Sequence, residues 1–198
     1  MQAGCARRRA ISQWDGRAVF AIYCMALPDH LKGDIYMKLL IKQRVFSWTD
    51  KYDIYDEDGN VRYFVKGEFF SLGHRLHIYD ADGNEVGLVR QKLMTILPVF
   101  ELEEDGHVIG RVERRFSMFK PKYDVDFRGW RAEGDFLQWE YEVWQACSMV
   151  MRITRKILFW GDTYVLDIAD PADELYGLML VLAIDAANCS ADSAVINN

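Results

Sequence analysis

Apolar and polar residues alternate in short runs from Met37 onward, and the runs are separated by turn-forming clusters. The segment Tyr55-Asp56-Glu57-Asp58-Gly59-Asn60 returns almost unchanged as Tyr79-Asp80-Ala81-Asp82-Gly83-Asn84. Each copy lies between two period-two runs. A glycine that tolerates a left-handed backbone, flanked by Asp and Asn, predicts a hairpin at each place. Strands are predicted at Leu39–Ile41 with Val45–Phe46, at Lys51–Tyr55, Val61–Val65, Arg75–Tyr79 and Glu85–Lys92, and at Thr95–Glu103 and Val108–Phe116 around a weaker turn at Glu104-Asp105-Gly106. Further strands are predicted at Lys122–Phe127, Phe136–Val143, Met149–Lys156 and Thr163–Ile168. Turn signals about 8 to 12 residues apart favour a sandwich or barrel over alternating α/β units.

The stretch from Leu175 to Ile184 breaks this pattern, being apolar at every position of a helical wheel except Gly177. Asp170 is placed to cap its start, Pro171 occupies the first position, and Asp173 and Glu174 face the positive end of the dipole. A helix apolar all round must be enclosed. At about 1.5 Å per residue this run is too short to cross a bilayer, so the sheet is its expected enclosure. The helix is expected over about 172–187, with a disordered tail over 189–198.

Residues 1–36 have no such alternation and carry Arg7, Arg8, Arg9, Arg17 and Lys32 against Asp15, Asp29 and Asp34, in a chain whose net charge is −6. The apolar run Val19–Leu27 is marginal for a signal peptide and is broken by Tyr23. Lys32-Gly33-Asp34 can be encoded by a sequence containing AAGGAGA, a bacterial ribosome-binding sequence, two codons before Met37. Residues 1–36 are therefore expected to be a mistranslated or disordered leader, with one domain over 37–188.

Composition narrows the chemistry. A net-acidic chain is a poor general binder of nucleic acid. Cys5, Cys24, Cys147 and Cys189 are far apart and form no C-x-x-C, so neither a zinc site nor a compact disulfide framework is indicated, and Cys147 reads as a small packing residue in a reducing cytosol. The acidic turns resemble calcium loops, but an EF-hand with Gly59 at its sixth position would need acids where Ile54 and Val65 stand. His74 and His77 lie three apart on a strand, hence on opposite faces, and have no third ligand nearby. No nucleophile elbow or phosphate-binding loop occurs. The remaining constellation is basic: Arg111, Arg114, Arg115, Lys120 and Lys122, opposed within the run only by Glu113 and interleaved with Phe116, Met118 and Phe119. Cations beside apolar groups suit an anionic headgroup, each contributing about 1 kcal/mol at a charged membrane surface.

Leu39-Leu40-Ile41-Lys42-Gln43 with Phe46-Ser47-Trp48, Tyr52 to Gly59, and Leu180-Val181-Leu182-Ala183-Ile184-Asp185 resemble the LURP-one-related, or YxjI-like, family. The resemblance spans Met37 to about Asn188. It implies a mainly β, Tubby-like closed antiparallel barrel of about twelve strands around a central C-terminal hydrophobic helix. Tubby domains bind phosphoinositides, scramblases of similar fold act at membranes with calcium, and plant members are tied to defence. The resemblance carries over no catalytic residue. The expectation is thus a non-enzymatic cytoplasmic barrel, peripheral at the inner membrane surface, that binds anionic phospholipid headgroups through the five basic residues, without cofactor, metal or nucleic acid. The alternatives are a protein-interaction module, which exposed Trp130, Trp139 or Trp144 would favour, and an enzyme with a substrate pocket at the barrel mouth.

Overall fold

The computed structural model describes residues 37–42, 51–68, 73–117, 120–158 and 161–196. Twelve strands form one antiparallel sheet: β1 (Met37–Lys42), β2 (Lys51–Asp56), β3 (Val61–Gly67), β4 (Arg75–Asp80), β5 (Glu85–Gln91), β6 (Val99–Glu104), β7 (His107–Arg115), β8 (Lys122–Asp126), β9 (Trp130–Asp135), β10 (Glu140–Gln145), β11 (Ser148–Leu158) and β12 (Gly161–Ile168). Each strand pairs with its sequence neighbours except across β8 and β9. The exception to this local pairing is β1 with β12, Met37 opposite Ile168 and Lys42 opposite Thr163. The order β8-β7-β6-β5-β4-β3-β2-β1-β12-β11-β10-β9 curls round until β8 and β9 face each other without a ladder between them. The barrel is therefore nearly closed, with one seam.

Alternation decides what each strand puts inside. Leu39 and Ile41, Leu76 and Ile78, Phe100 and Leu102, Tyr141 and Val143, and Leu166 and Ile168 are buried at alternate positions. They surround helix α1 (Glu174–Ile196), in which Leu178, Met179, Leu180, Val181, Leu182, Ala183, Ile184, Ala186 and Ala187 are buried on every face. The helix touches the wall where side chains are missing. A Cβ on Gly177 would lie 2.9 Å from the Met151 sulfur, and one on Gly87 would lie 3.2 Å from that of Met179.

The predicted start of the helix is present as a 3-10 turn (Pro171–Asp173), with the Asp170 carboxylate accepting from the Ala172 N–H at 2.9 Å. Its end differs from expectation. The helix continues to Ile196 rather than stopping near 187, because no Gly or Pro lies between Asn188 and Ile196 to end it. Two strands differ as well. Trp130–Asp135 forms β9 although its buried and exposed residues do not alternate cleanly, and Phe136–Trp139 is the turn before β10 rather than its first half. Thr95–Pro98 is loop rather than the start of β6: Pro98 has no N–H for a ladder and Met94 adopts a left-handed φ of 60°. The expectations for residues 1–36 and Val45–Phe46 lie outside the described residues.

The connections divide by end. At one, called the turn end, lie 57–60, 81–84, 105–106, 127–129, 146–147 and the approach to the helix. At the other, the loop end, lie the β1–β2, β3–β4, β5–β6, β7–β8, β9–β10 and β11–β12 connections, together with the outgoing half of α1. The repeated turns are alike: Asp56 and Asp80 each accept from the backbone N–H of the Asn four residues on, both at 2.8 Å, and Gly59 and Gly83 are left-handed. The third is tighter, with both Asp105 and Gly106 at positive φ between the paired Glu104 and His107, as a two-residue hairpin requires.

Candidate functional site at the loop end of the barrel

The five basic residues do not converge. Parity on β7 separates them: Gly110, Val112 and Arg114 turn inward, while Arg111, Glu113 and Arg115 turn outward. Arg111 pairs with the buried Glu101 at 3.2 Å, and Arg90 holds the same carboxylate from the other side at 2.9 Å. Arg115 is 2.6 Å from Asp124. Arg114 reaches into the barrel and donates to the Ala187 carbonyl of α1 at 3.3 Å. Lys120 crosses the seam to Asp135 at 2.7 Å. Lys122 is exposed and has no ion pair among the described residues, as does Lys92 on the neighbouring loop. Of the interleaved apolar residues, Phe116 is exposed; Met118 and Phe119 lie outside the described residues.

What the basic run does mark is an end of the barrel with an unusual surface. Among the described residues the exposed large hydrophobic side chains are Val61, Leu93, Met94, Ile96, Val108, Phe116 and Leu137. Val61 and Val108 begin strands at the turn end. The other five belong to three loop-end connections, with Met94 and Ile96 fully exposed and Phe116 82% exposed. These connections adjoin one another. Arg114 N–H donates to the Pro98 carbonyl at 3.0 Å, placing the end of β7 beside the β5–β6 loop, and the Lys120–Asp135 pair ties the β7–β8 connection to the turn that carries Leu137. Lys66, Lys92, Lys122 and Lys156 stand on the same end, exposed. Sequence reasoning missed the apolar half of this surface because it read Thr95–Glu103 as one strand. The signal was present in Leu93-Met94-Thr95-Ile96-Leu97-Pro98, an apolar run without period-two alternation that stops at proline.

The turn end is opposite in character. Asp56, Glu57, Asp58, Asp80, Asp82, Asp105 and Asp170 crowd its turns, against Lys38, Arg62 and Arg128, each held in an ion pair. Arg62 makes a bidentate bond to the buried Glu174 at 2.8 and 3.0 Å, and Arg128 sits 2.9 Å from Asp173 and 4.5 Å above the Tyr176 ring. These contacts anchor the incoming helix. A cleft of about 260 Å³ there is lined by Arg62, Tyr63, Asp80, Ala81, Asp82, Val86 and Leu175, and another of about 330 Å³ lies over β9–β11 around Glu142 and Arg152. Neither is lined by a histidine, cysteine or serine.

Inside the loop end the helix exits through a polar pocket of the core. The Tyr123 hydroxyl donates to the Asn188 side chain, and the Cys189 thiol lies 3.8 Å from the Asp185 carboxylate. Burial pushes Asp185 up to about 7. The Tyr141 hydroxyl is fully buried without a hydrogen-bond partner among the described residues and is raised well above its ordinary value, by burial first and then by Asp185. Cys147 lies half-buried in the turn between β10 and β11. His77 pairs with Glu85 at 3.0 Å, and no cluster of three or more potential metal ligands occurs among the described residues. Trp130 and Trp139 are buried and Trp144 half-buried.

An antiparallel twelve-stranded barrel packed around one C-terminal helix is a Tubby-like architecture, and it is shared with the crystal structure of an Arabidopsis thaliana protein. That structure is 18% identical, with a TM-score of 0.52, over 77% of this chain and 94% of the other. The model of the LURP-one-related family matches residues 37–185, and the chain belongs to that family. It is 33% identical to the uncharacterized protein YxjI of Bacillus subtilis (strain 168) over 149 residues, 75% of this chain and 92% of that protein. No helix among the described residues is long and apolar enough to cross a membrane.

Proposed function

We propose that the barrel is a non-catalytic module that docks its loop end on a surface of anionic phospholipid. The observation that carries this reading is the segregation of surface chemistry along the barrel. Among the described residues, exposed apolar side chains and unpaired lysines gather at the loop end, and the acidic turns gather at the other. A negatively charged bilayer attracts the first and repels the second, so the charge distribution orients the molecule as well as holding it. The interior supports a binding rather than a catalytic role, because the helix fills the space that a substrate would occupy. Trp130 and Trp139 are buried and Trp144 is half-buried, so none of these three is an exposed anchor for a protein partner.

The contributing cations are not the five basic residues as a set. Arg114 serves the helix, Arg111 and Arg115 serve carboxylates of the outer wall, and Lys120 serves Asp135, which leaves Lys92 and Lys122 as the side chains best placed to meet phosphates. Flotation with phosphatidylcholine vesicles, with and without phosphatidylglycerol, tests the reading against a Lys92→Gln, Lys122→Gln variant. Binding that requires phosphatidylglycerol, weakens with salt and is lost in the variant is expected. Equal binding to both vesicle types, or none to either, would remove the proposal.

A further inference from the structure

We propose that the β5–β6 loop, with Met94 and Ile96 at its tip and Phe116 and Leu137 beside it, inserts into the apolar layer of the bilayer and holds the barrel axis upright on the membrane. The inference rests on the docking reading above and adds a contact that charge does not explain.

The loop is built to project. Its base is closed by the Lys92 N–H donating to the Val99 carbonyl at 2.8 Å, and the Gln91 N–H, bonded to the His74 carbonyl at 2.7 Å, ties it to the neighbouring connection. Leu93 packs over Gly73, where a Cβ would come within 2.8 Å of the Leu93 methyl. Leu93 is thus the root of the loop. Met94 and Ile96 stand beyond it with no side chain covering them. Met94 holds a φ of 60°, a conformation that glycine or asparagine adopts far more readily. A large apolar residue in a strained and fully solvated position costs the free protein stability in two ways, and burial in lipid reverses the solvation part of that cost.

The occupant follows from shape and charge. The five apolar side chains come from three separate connections and protrude, and neither of the two clefts described above is lined by any of them. A fluid bilayer accepts such projections without complementary shape. Residues 92–98 carry one cation, Lys92, and no acid, so nothing on the loop opposes an anionic surface. Lys92 at the root and Lys122 beside Phe116 stand at the depth of the phosphates when the apolar tips lie below them, the arrangement in which a long side chain covers the boundary between apolar and charged layers. The acidic turn end, most of the barrel's length away, then faces solution.

The test uses the full chain and vesicles of phosphatidylcholine with phosphatidylglycerol. A Met94→Ser, Ile96→Ser variant is expected to fold as the wild type does, by circular dichroism and thermal melting, because both side chains are solvated. Its vesicle partitioning is expected to fall about tenfold or more. At high salt the wild type is expected to retain a residual binding that this variant lacks. A Met94→Trp variant is expected to gain fluorescence quenched by brominated acyl chains beyond that of the wild type's own tryptophans. Wild-type binding that salt abolishes completely, with the serine variant binding equally and the Met94→Trp variant showing no added quenching, would overturn insertion while leaving electrostatic docking in place. Failure of the wild type to bind anionic vesicles at all would overturn both.

Discussion

The two ends of the barrel hold the same helix by different means. At the turn end the incoming helix is gripped by charge: Arg62 on Glu174, Arg128 on Asp173, and Tyr176 within 3.2 Å of both Glu104 carboxylate oxygens. At the loop end the outgoing helix is held by the Tyr123 hydroxyl on Asn188 and one donor from Arg114, around the buried Asp185, which has no cation bonded to it among the described residues. The surfaces differ in the same sense. Three acidic hairpins lie at one end, and three connections with exposed apolar side chains lie at the other. A barrel whose strands are fixed by their neighbours can spend its connections on separate tasks, and here one set secures the helix while the other is left for contact.

The largest test of this contrast concerns Asp185. Its folded-state pKa of about 7 stands above the ordinary value of 3.8 because burial disfavours the carboxylate. The folded protein therefore holds this proton more tightly than the unfolded chain. Stability from this group is full below pH about 4, declines as pH rises to about 7, and is level above that. At about 1.4 kcal/mol per pH unit the loss amounts to about 4 kcal/mol. Asp185→Asn is expected to flatten that slope, measured by urea unfolding between pH 4 and pH 8; an unchanged slope would place the titration elsewhere.

At the opposite end, Arg62→Ala leaves the Glu174 carboxylate buried without its partner and is expected to cost about 3 kcal/mol. Glu174→Ala is expected to cost less, since Arg62 is half exposed and regains water. Equal losses from the two variants would mean that the pair contributes mainly through packing. A smaller change of opposite sign is expected at the loop end: Met94→Gly relieves the left-handed strain and raises stability by about 0.5–1 kcal/mol while weakening vesicle binding. The smallest effect belongs to Asp80, whose carboxyl is held below the usual range by the Asn84 side-chain amide and backbone N–H. Stability from that turn is present above pH about 4 and lost as pH falls through the depressed pKa. Asp80→Ala is expected to lower the melting temperature slightly at neutral pH, with the difference from the wild type vanishing in acid.

Legibility varied with the range of the interaction involved. The hairpins around Gly59 and Gly83 were readable because a left-handed glycine between Asp and Asn is a local requirement. The buried helix was readable because an all-round apolar run has no other stable home in water. β9 was not readable: Trp130–Asp135 is held by its ladder with β10 and by the burial of Trp130, and neither leaves a period in the sequence. The dispersal of the basic run was not readable for a related reason. Arg111, Arg114 and Arg115 are neighbours in sequence, but strand parity and the curl of the sheet send Arg114 to the helix and the others to separate carboxylates.

By itself the sequence determined the hairpin succession, the capped start of the helix and its enclosure by strands. These depend on backbone conformations and burial demands that neighbouring residues impose on one another. Tertiary structure alone decided where the ladder stays open between β8 and β9, which basic side chains are drawn into pairs, and that Met94, Ile96, Phe116 and Leu137 share one end of the molecule. Those outcomes depend on the curl of twelve strands around one helix, which brings together side chains whose separation along the chain gives no sign that they will meet.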